Sequence, residues 1–478
     1  MNRLRGFAAA TTVAVAVSFV PVPAFAAKAG TDSYFPSAGS VAYDVGNYSL
    51  QIRYDPAGRS FAGVATISAT ANQAMAGLDL DLRGFTVRSV SVNGKPAAFR
   101  RTARKLTVSP AAGLASGAKF TVEVRYDGTT GRPTDSTGTL YGWISTPDGV
   151  FVANEPDGAS TWYPVNDRPS DKATYDMQIT VPAGKTAVSN GDLIGSQTTK
   201  GWTTWQWRAT DPMSSYLATV SIGDYDLRRS TGPGGLPIVT AIDRQLPAGA
   251  GAALARTNEM ISYFSEVLGP YPFSSYGAIV DDNADAGYSL ETQTRPIYAG
   301  PPTEDDVAHE TAHQWLGNSV GPQQWQDIWL TEGITTYMQW LWTARNGGTS
   351  VEQTFTDAYA APANDAFWTI APGDPGANNM FADSVLIRGA MTLQALRAKI
   401  GDAAFLTLLR RWCDTYRGAT ASTADFIGLA EQVTGKDLDA FFQNWLYATK
   451  KPAATAVVVT ASGAAVSTKG YKHRPVVK

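Results

Sequence analysis

Apolar and polar residues alternate with a period of two through the first half of the chain. Tyr48, Leu50, Ile52 and Tyr54 follow this rhythm, as do Phe120, Val122, Val124 and Tyr126, and again Tyr175, Met177, Ile179 and Val181. Such alternation puts one side of a strand on a core and the other in water. It predicts a β-rich region from about Tyr43 to Leu227, with hairpin-type turns at Asn93-Gly94 and Asn190-Gly191. The run Ser230-Thr231-Gly232-Pro233-Gly234-Gly235 reads as a linker or an exposed turn. Beyond it the rhythm changes. Ala252 to Leu268 reads as a helix stopped by Gly269-Pro270, a short β-like stretch surrounds Gly277 to Val280, and most of the chain to about Tyr447 reads as helical. No internal repeat stands out. The expected division is a signal peptide over 1–26, a flexible mature N-terminus over 27–40, a β-rich domain over 41–229, a mainly helical domain over 236–449 and a tail over 450–478.

Composition narrows the class. The chain has 478 residues, 44% hydrophobic and 17% charged, which suits well-buried cores in two or three globular domains. A formal net charge of -3 provides no basic field for nucleic acid or an anionic membrane. The N-terminus has the form of an export signal. Arg3 and Arg5 precede an apolar run from Phe7 to about Val20, and Ala24-Phe25-Ala26 offers a small-x-small cleavage pattern. That run is too short and too rich in alanine for a membrane anchor, and no later stretch is long and apolar enough to span a bilayer. The expectation is a secreted protein, cleaved near Ala26. Only one cysteine is present, Cys413. It cannot form an internal disulfide, and its helical, apolar surroundings make it a small core residue.

The chemistry concentrates in His309-Glu310-Thr311-Ala312-His313, an H-E-x-x-H motif. Residues four apart on a helix lie on one face, so both imidazoles can converge on one ion. Thr303 and Asp306 form a helix-start pair before the motif, and Gly317-Asn318 forms a stop after it. A catalytic zinc takes three protein ligands and keeps a fourth position open. Glu332 supplies the third ligand, near the start of the helix that runs to Arg345, with 18 residues separating it from His313. The motif also arises by chance, but here two of only three histidines fall in it. The reading is one Zn2+ per chain, held by His309, His313 and Glu332, with Glu310 as the general base that takes a proton from water.

These residues resemble the M1 family of zinc aminopeptidases, gluzincins that include aminopeptidase N and leukotriene A4 hydrolase. The resemblance rests on His309 through Asn318, on Trp325, and on Trp329-Leu330-Thr331-Glu332-Gly333. It extends to Asn154 through Ala159, Trp162 through Asp167 and Asp171 through Tyr175, and covers about residues 40 to 450. It implies an α+β multidomain chain, with an N-terminal β-saddle domain followed by a mainly helical thermolysin-like catalytic domain. The large C-terminal helical domain of longer members is not expected. It implies peptide substrates with a free N-terminus, their α-amino group bound by Glu291 and Glu155. Two departures accompany it. Leu386, in Leu386-Ile387-Arg388-Gly389, stands where members carry a tyrosine that stabilises the oxyanion. Gln339 stands where many carry Glu. Tyr288, Tyr298 and Tyr337 are the hydroxyls that could replace the missing donor. Two other readings remain at this stage: a catalytically weak or silent peptide binder, and a thermolysin-like endopeptidase.

Overall fold

The computed structural model describes residues 32–135 and 137–453. The three alternating segments become strands of one eight-stranded sheet. Tyr43–Asp55 pairs in parallel with Lys172–Pro182, setting Tyr48 opposite Tyr175 and Leu50 opposite Met177. Its other edge pairs antiparallel with Ser60–Ala71, which in turn pairs with Lys119–Thr129. Every apolar residue named from the alternation is buried. The Tyr48 and Tyr175 rings stack with centroids 5.0 Å apart. Aligned neighbours on one face thus form the core that the period predicts.

A four-stranded sheet covers that core. Its members, Gly142–Ser145, Val150–Ala153, Thr186–Ser189 and Val220–Gly223, are buried at every position. Asn93-Gly94 makes the expected tight turn, with positive φ at both residues. Asn190-Gly191 does not. It carries the chain from Thr186–Ser189 in the small sheet to Asp192–Thr199 in the large one. The Asn190 side chain instead donates to the carbonyls of Leu217 and Gln293, at 2.9 and 2.8 Å.

A five-stranded sheet begins before the glycine-rich run. Tyr225–Thr231 and Pro237–Asp243 pair antiparallel, so of the two readings of the glycine-rich run, linker or exposed turn, the turn holds: 232–235 is a hairpin turn inside one sheet. The junction therefore lies near Asp224, between Val220–Gly223 of one domain and Tyr225–Thr231 of the other. The five-stranded sheet continues through Tyr276–Val280 and Ile297–Tyr298 to an edge strand, Ser289–Leu290. Helices follow on it: Thr257–Leu268, Glu304–Ala312, Trp329–Arg345, Gly389–Ile400 and Asp402–Thr415 among them. Cys413 is buried in the last of these.

Two helices meet backbone to backbone. A Cβ on Gly333 would lie 2.8 Å from the Cα of Gly389, and a Cβ on Gly389 equally close to the Cα of Gly333. Only paired glycines allow that approach. It draws Trp329–Arg345, and with it Glu332, against Gly389–Ile400. The expected flexible N-terminal stretch is held in its described part. The Asp32 carboxylate accepts from the Trp325 amide at 2.7 Å, and the Gly39 amide donates to Asp81 at 2.7 Å. The expected signal peptide lies outside the described residues, as does most of the expected tail. Among the described residues no helix is long and apolar enough to cross a membrane.

Candidate metal centre

The motif helix, Glu304–Ala312, starts with a full capping box. Thr303 Oγ1 accepts from the Asp306 amide, and the Asp306 carboxylate accepts from the Thr303 amide. Three acids in its first turn complement the helix dipole. His309 lies in its last turn and His313 caps its end. Glu332 comes from the first turn of Trp329–Arg345. All three side chains are fully buried. The two Nε2 atoms are 3.0 Å apart, and Glu332 oxygens lie 3.5 Å from His309 Nε2 and 3.7 Å from His313 Nε2.

The donor chemistry fits zinc. His309 Nδ1 contacts Gln339 Oε1 at 3.2 Å, and His313 Nδ1 contacts the Leu316 carbonyl at 3.0 Å. Both contacts are acceptors, so each Nδ1 carries the proton and each Nε2 presents a lone pair. Two facing lone pairs and a buried carboxylate attract a cation. Tetrahedral ligands at zinc bond lengths stand about 3.3 Å apart, and the observed separations bracket that spacing. Burial pushes the His309 pKa down to about 4, which keeps the imidazole neutral, as a ligand must be.

More carboxylates surround the centre. One ligand atom each from Glu291, Glu310 and His313 lies within 4.8 Å of the others, and the same holds for Glu155, Glu291 and Glu332. None of these residues is more than 4% exposed. The structure thus brings together all six residues singled out from the sequence: His309, Glu310, His313, Glu332, Glu155 and Glu291. Glu155 arrives from the β-rich domain, just beyond Val150–Ala153. Its neighbour Asn154 is tied to the Ser215 and Ala218 carbonyls and to Trp162 Nε1. Glu291 follows the edge strand Ser289–Leu290, and its carbonyl accepts from Asn318 Nδ2 at 2.6 Å and Gln314 Nε2 at 3.3 Å. Neither Glu291 carboxylate oxygen has a hydrogen-bond partner on another described residue. Burial first, and the Glu332 charge second, push its pKa up to about 8. A nearby cation acts in the opposite direction.

The chain after Glu291 is clamped between the domains. Gln293 Nε2 donates to the Asp211 carbonyl and Thr294 Oγ1 accepts from the Gly191 amide. The guanidinium of Arg295 is enclosed by carbonyls of Ser189, Gly191, Val239 and Tyr276. Leu386 is buried in a π-helical turn, Ser384–Arg388, that leads into Gly389–Ile400. Of the three tyrosines considered as replacement donors, Tyr288 donates to the Leu140 carbonyl at 2.8 Å and Tyr337 to Gln394 Oε1 at 2.9 Å. The hydroxyl of Tyr298 is buried and has no hydrogen-bond partner among the described residues. Sequence reasoning missed Tyr216, whose hydroxyl donates to the Gly317 carbonyl at 3.2 Å. Nothing local in Ser214-Ser215-Tyr216-Leu217 signals a contact across the domain junction.

A two-histidine, one-glutamate centre on paired helices, beneath a β-rich domain that adds its own glutamate, defines a gluzincin-like metalloprotein. Residues 293–445 match the sequence model of the peptidase family M1 domain, and residues 45–217 match that of the peptidase M1 N-terminal domain. The chain belongs to the peptidase M1 family, and that family implies a zinc cofactor. The fold is similar to the M1 zinc metallopeptidase from Deinococcus radiodurans, with a TM-score of 0.81 and 27% identity over 88% of this chain and 98% of that one. A mutant of the Deinococcus protein bound to a Tyr-Ser-Ala substrate matches with a TM-score of 0.80, at 27% identity over 87% of this chain and 96% of that one. The leucyl aminopeptidase of Saccharolobus solfataricus is 25% identical over 422 residues, which are 81% of this chain and 51% of the relative. The chain spans about half the length of that curated relative.

Gln339, through its contact with His309 Nδ1, bears on metal affinity. A carboxylate accepts more strongly than an amide and makes the imidazole a better ligand. Gln339→Glu is expected to tighten zinc binding by about tenfold or more, measured by competition with a chromophoric chelator. Unchanged affinity would mean that the amide supports His309 as well as a carboxylate does.

Proposed function

We propose that the chain is a secreted zinc aminopeptidase that removes residues from the N-terminus of peptides. The observation that carries this reading is the close group Glu155, Glu291 and Glu332, buried beside the two imidazoles. Crowded, buried carboxylates call for positive charge. One cation is the metal. The other, on this reading, is the α-ammonium of the substrate, held by Glu155 and Glu291. Holding the charged end there would set the first peptide bond of the substrate over the centre. An internal peptide segment brings no such charge to this crowded group of carboxylates, which counts against an endopeptidase. Two further observations support the proposal: the similarity to a leucyl aminopeptidase, and a structural relative whose mutant binds the tripeptide Tyr-Ser-Ala.

Zinc, held by His309, His313 and Glu332, would polarise the scissile carbonyl and acidify a water molecule. Glu310 takes a proton from that water as its oxygen attacks the carbonyl carbon. When the C–N bond breaks, the same carboxyl delivers the proton to the leaving amine nitrogen. Glu155 and Glu291 hold the ammonium end throughout, so the reacting carbonyl stays in register. Export is part of the proposal and is supported by Arg3, Arg5, the apolar run and Ala24-Phe25-Ala26.

A second reading has one specific observation in its favour. Leu386 offers no hydrogen bond where the resemblance implies a tyrosine hydroxyl, and the loss of one oxyanion donor costs about a hundred- to a thousandfold in turnover. On that reading the centre binds metal and peptide but turns over slowly.

Aminoacyl fluorogenic amides test the main reading. Activity is expected in the culture supernatant rather than the cell lysate, and Glu310→Gln should abolish it while zinc stays bound. Glu291→Gln should raise KM for free-amine substrates far more than for N-blocked ones; an equal effect on both would remove the basis for exopeptidase action. Leu386→Tyr should raise kcat by about a hundredfold or more. An unchanged kcat would place the oxyanion donor elsewhere, and Tyr298 would be the next hydroxyl to remove.

A further inference from the structure

The loop that follows the motif helix is gripped from the other domain. Gly317, Asn318 and Ser319 are consecutive, and the carbonyl of each accepts a hydrogen bond from the β-rich domain. The Tyr216 hydroxyl donates to the Gly317 carbonyl at 3.2 Å. The Lys172 ammonium donates to the Asn318 and Ser319 carbonyls, both at 2.8 Å. Lys172 is the first residue of the strand Lys172–Pro182, and Tyr216 lies in the short 3-10 turn Ser215–Leu217. The lysine stem runs close along Gly321, where an added Cβ would lie 3.1 Å from Lys172 Cε.

Lys172 holds an unfavourable position for a cation. The residue as a whole keeps intermediate exposure, but its ammonium end is desolvated, and burial alone pushes its pKa down to about 7. No charged group contributes to that shift. Two carbonyl dipoles take the place of water.

The gripped loop leads to two functional groups. The Leu316 carbonyl accepts from His313 Nδ1 at 3.0 Å, which turns Nε2 toward Glu332. The amides of Asn318 and Ser319 donate back to the His313 and Gln314 carbonyls, both at 3.1 Å. Asn318 Nδ2 donates to the Glu291 carbonyl at 2.6 Å. Gly317, at φ +105, sits so close that an added Cβ would lie 3.3 Å from His313 Nδ1. A small displacement of this loop therefore reaches both the imidazole and the backbone of Glu291.

We propose that Lys172 and Tyr216 are positioning residues: by fixing the carbonyls of Gly317, Asn318 and Ser319, they aim His313 at the metal and Glu291 at the substrate. The β-rich domain thus contributes more than Glu155; its docking completes the geometry of a centre whose metal ligands all lie in the other domain. The amine-binding half of this inference rests on the aminopeptidase reading, and the metal-binding half does not.

The test uses the full chain with Lys172→Met, which keeps an unbranched stem as far as Cε and removes the ammonium with its charge and donors, and Tyr216→Phe, which removes one hydroxyl. Zinc affinity is read by competition with a chromophoric chelator, and KM and kcat with a leucine fluorogenic amide. Lys172→Met is expected to weaken zinc binding about tenfold and to raise KM. Tyr163→Phe is the stability control. It removes the hydroxyl contact to Tyr175 at 3.1 Å inside the β-rich domain, and it should lower the melting temperature while zinc affinity stays unchanged. Zinc affinity of folded Lys172→Met within twofold of the parent would overturn the inference and leave Lys172 a simple domain staple. If Lys172→Met does not fold, Tyr216→Phe decides: weaker zinc binding supports positioning, and unchanged binding overturns it. A parent that binds zinc but cleaves no amide would sink the aminopeptidase reading while the chelator titration still gave its answer here.

Discussion

Four carboxylates and two imidazoles share one buried cluster, and the architecture can be understood from that constraint. Glu155, Glu291, Glu310, Glu332, His309 and His313 are each at most 4% exposed. Buried charge is tolerated only where opposite charge or well-placed dipoles answer it. Each imidazole spends its one proton outward, on Gln339 or on the Leu316 carbonyl, and so presents a lone pair inward. The protein stores negative potential at this point, and a cation that enters is held by it. The arrangement is a cost to the empty fold that binding offsets.

Holding such a centre in place requires rigid elements on every side. The paired glycines at 333 and 389 bring the Glu332 helix against its neighbour. The capping box fixes the start of the motif helix. The clamp around Arg295, the Asn190 side chain and the Gln293 amide hold the chain after Glu291 against both domains. Much of this support crosses the domain junction. The two-domain form is therefore part of the site, and the β-rich domain cannot be regarded as a passive cover.

The sequence revealed the centre more clearly than its support, for a physical reason. His309 and His313 are four apart on one helix, and helical geometry alone brings them together. Glu332 follows after a gap long enough for one turn between two helices. Alternation likewise exposed the strands around Tyr48, Phe120 and Tyr175, because one-sided burial imposes a period of two. Glu155 and Glu291 are 136 positions apart and come from different domains; no local pattern links them, and only the family resemblance drew attention to both. The two-way reading of the glycine-rich run has a similar origin. Gly232-Pro233-Gly234-Gly235 has a composition that suits a linker or an exposed turn, and only the pairing of the strands on either side shows it to be a hairpin turn. Asn190-Gly191 misled because turn chemistry does not reveal which sheet the next strand joins. Lys172 and Tyr216 were hidden for the same reason: their partners are backbone carbonyls, which have no sequence signature.

The most direct test of the central claim is diffraction at the zinc absorption edge from crystals grown with zinc and a free amino acid. The account predicts one anomalous peak about 2.0–2.2 Å from His309 Nε2, His313 Nε2 and a Glu332 oxygen, with the amino nitrogen of the ligand between the Glu155 and Glu291 carboxylates. A peak among Glu155, Glu291 and Glu332, with the imidazoles unligated, would contradict it.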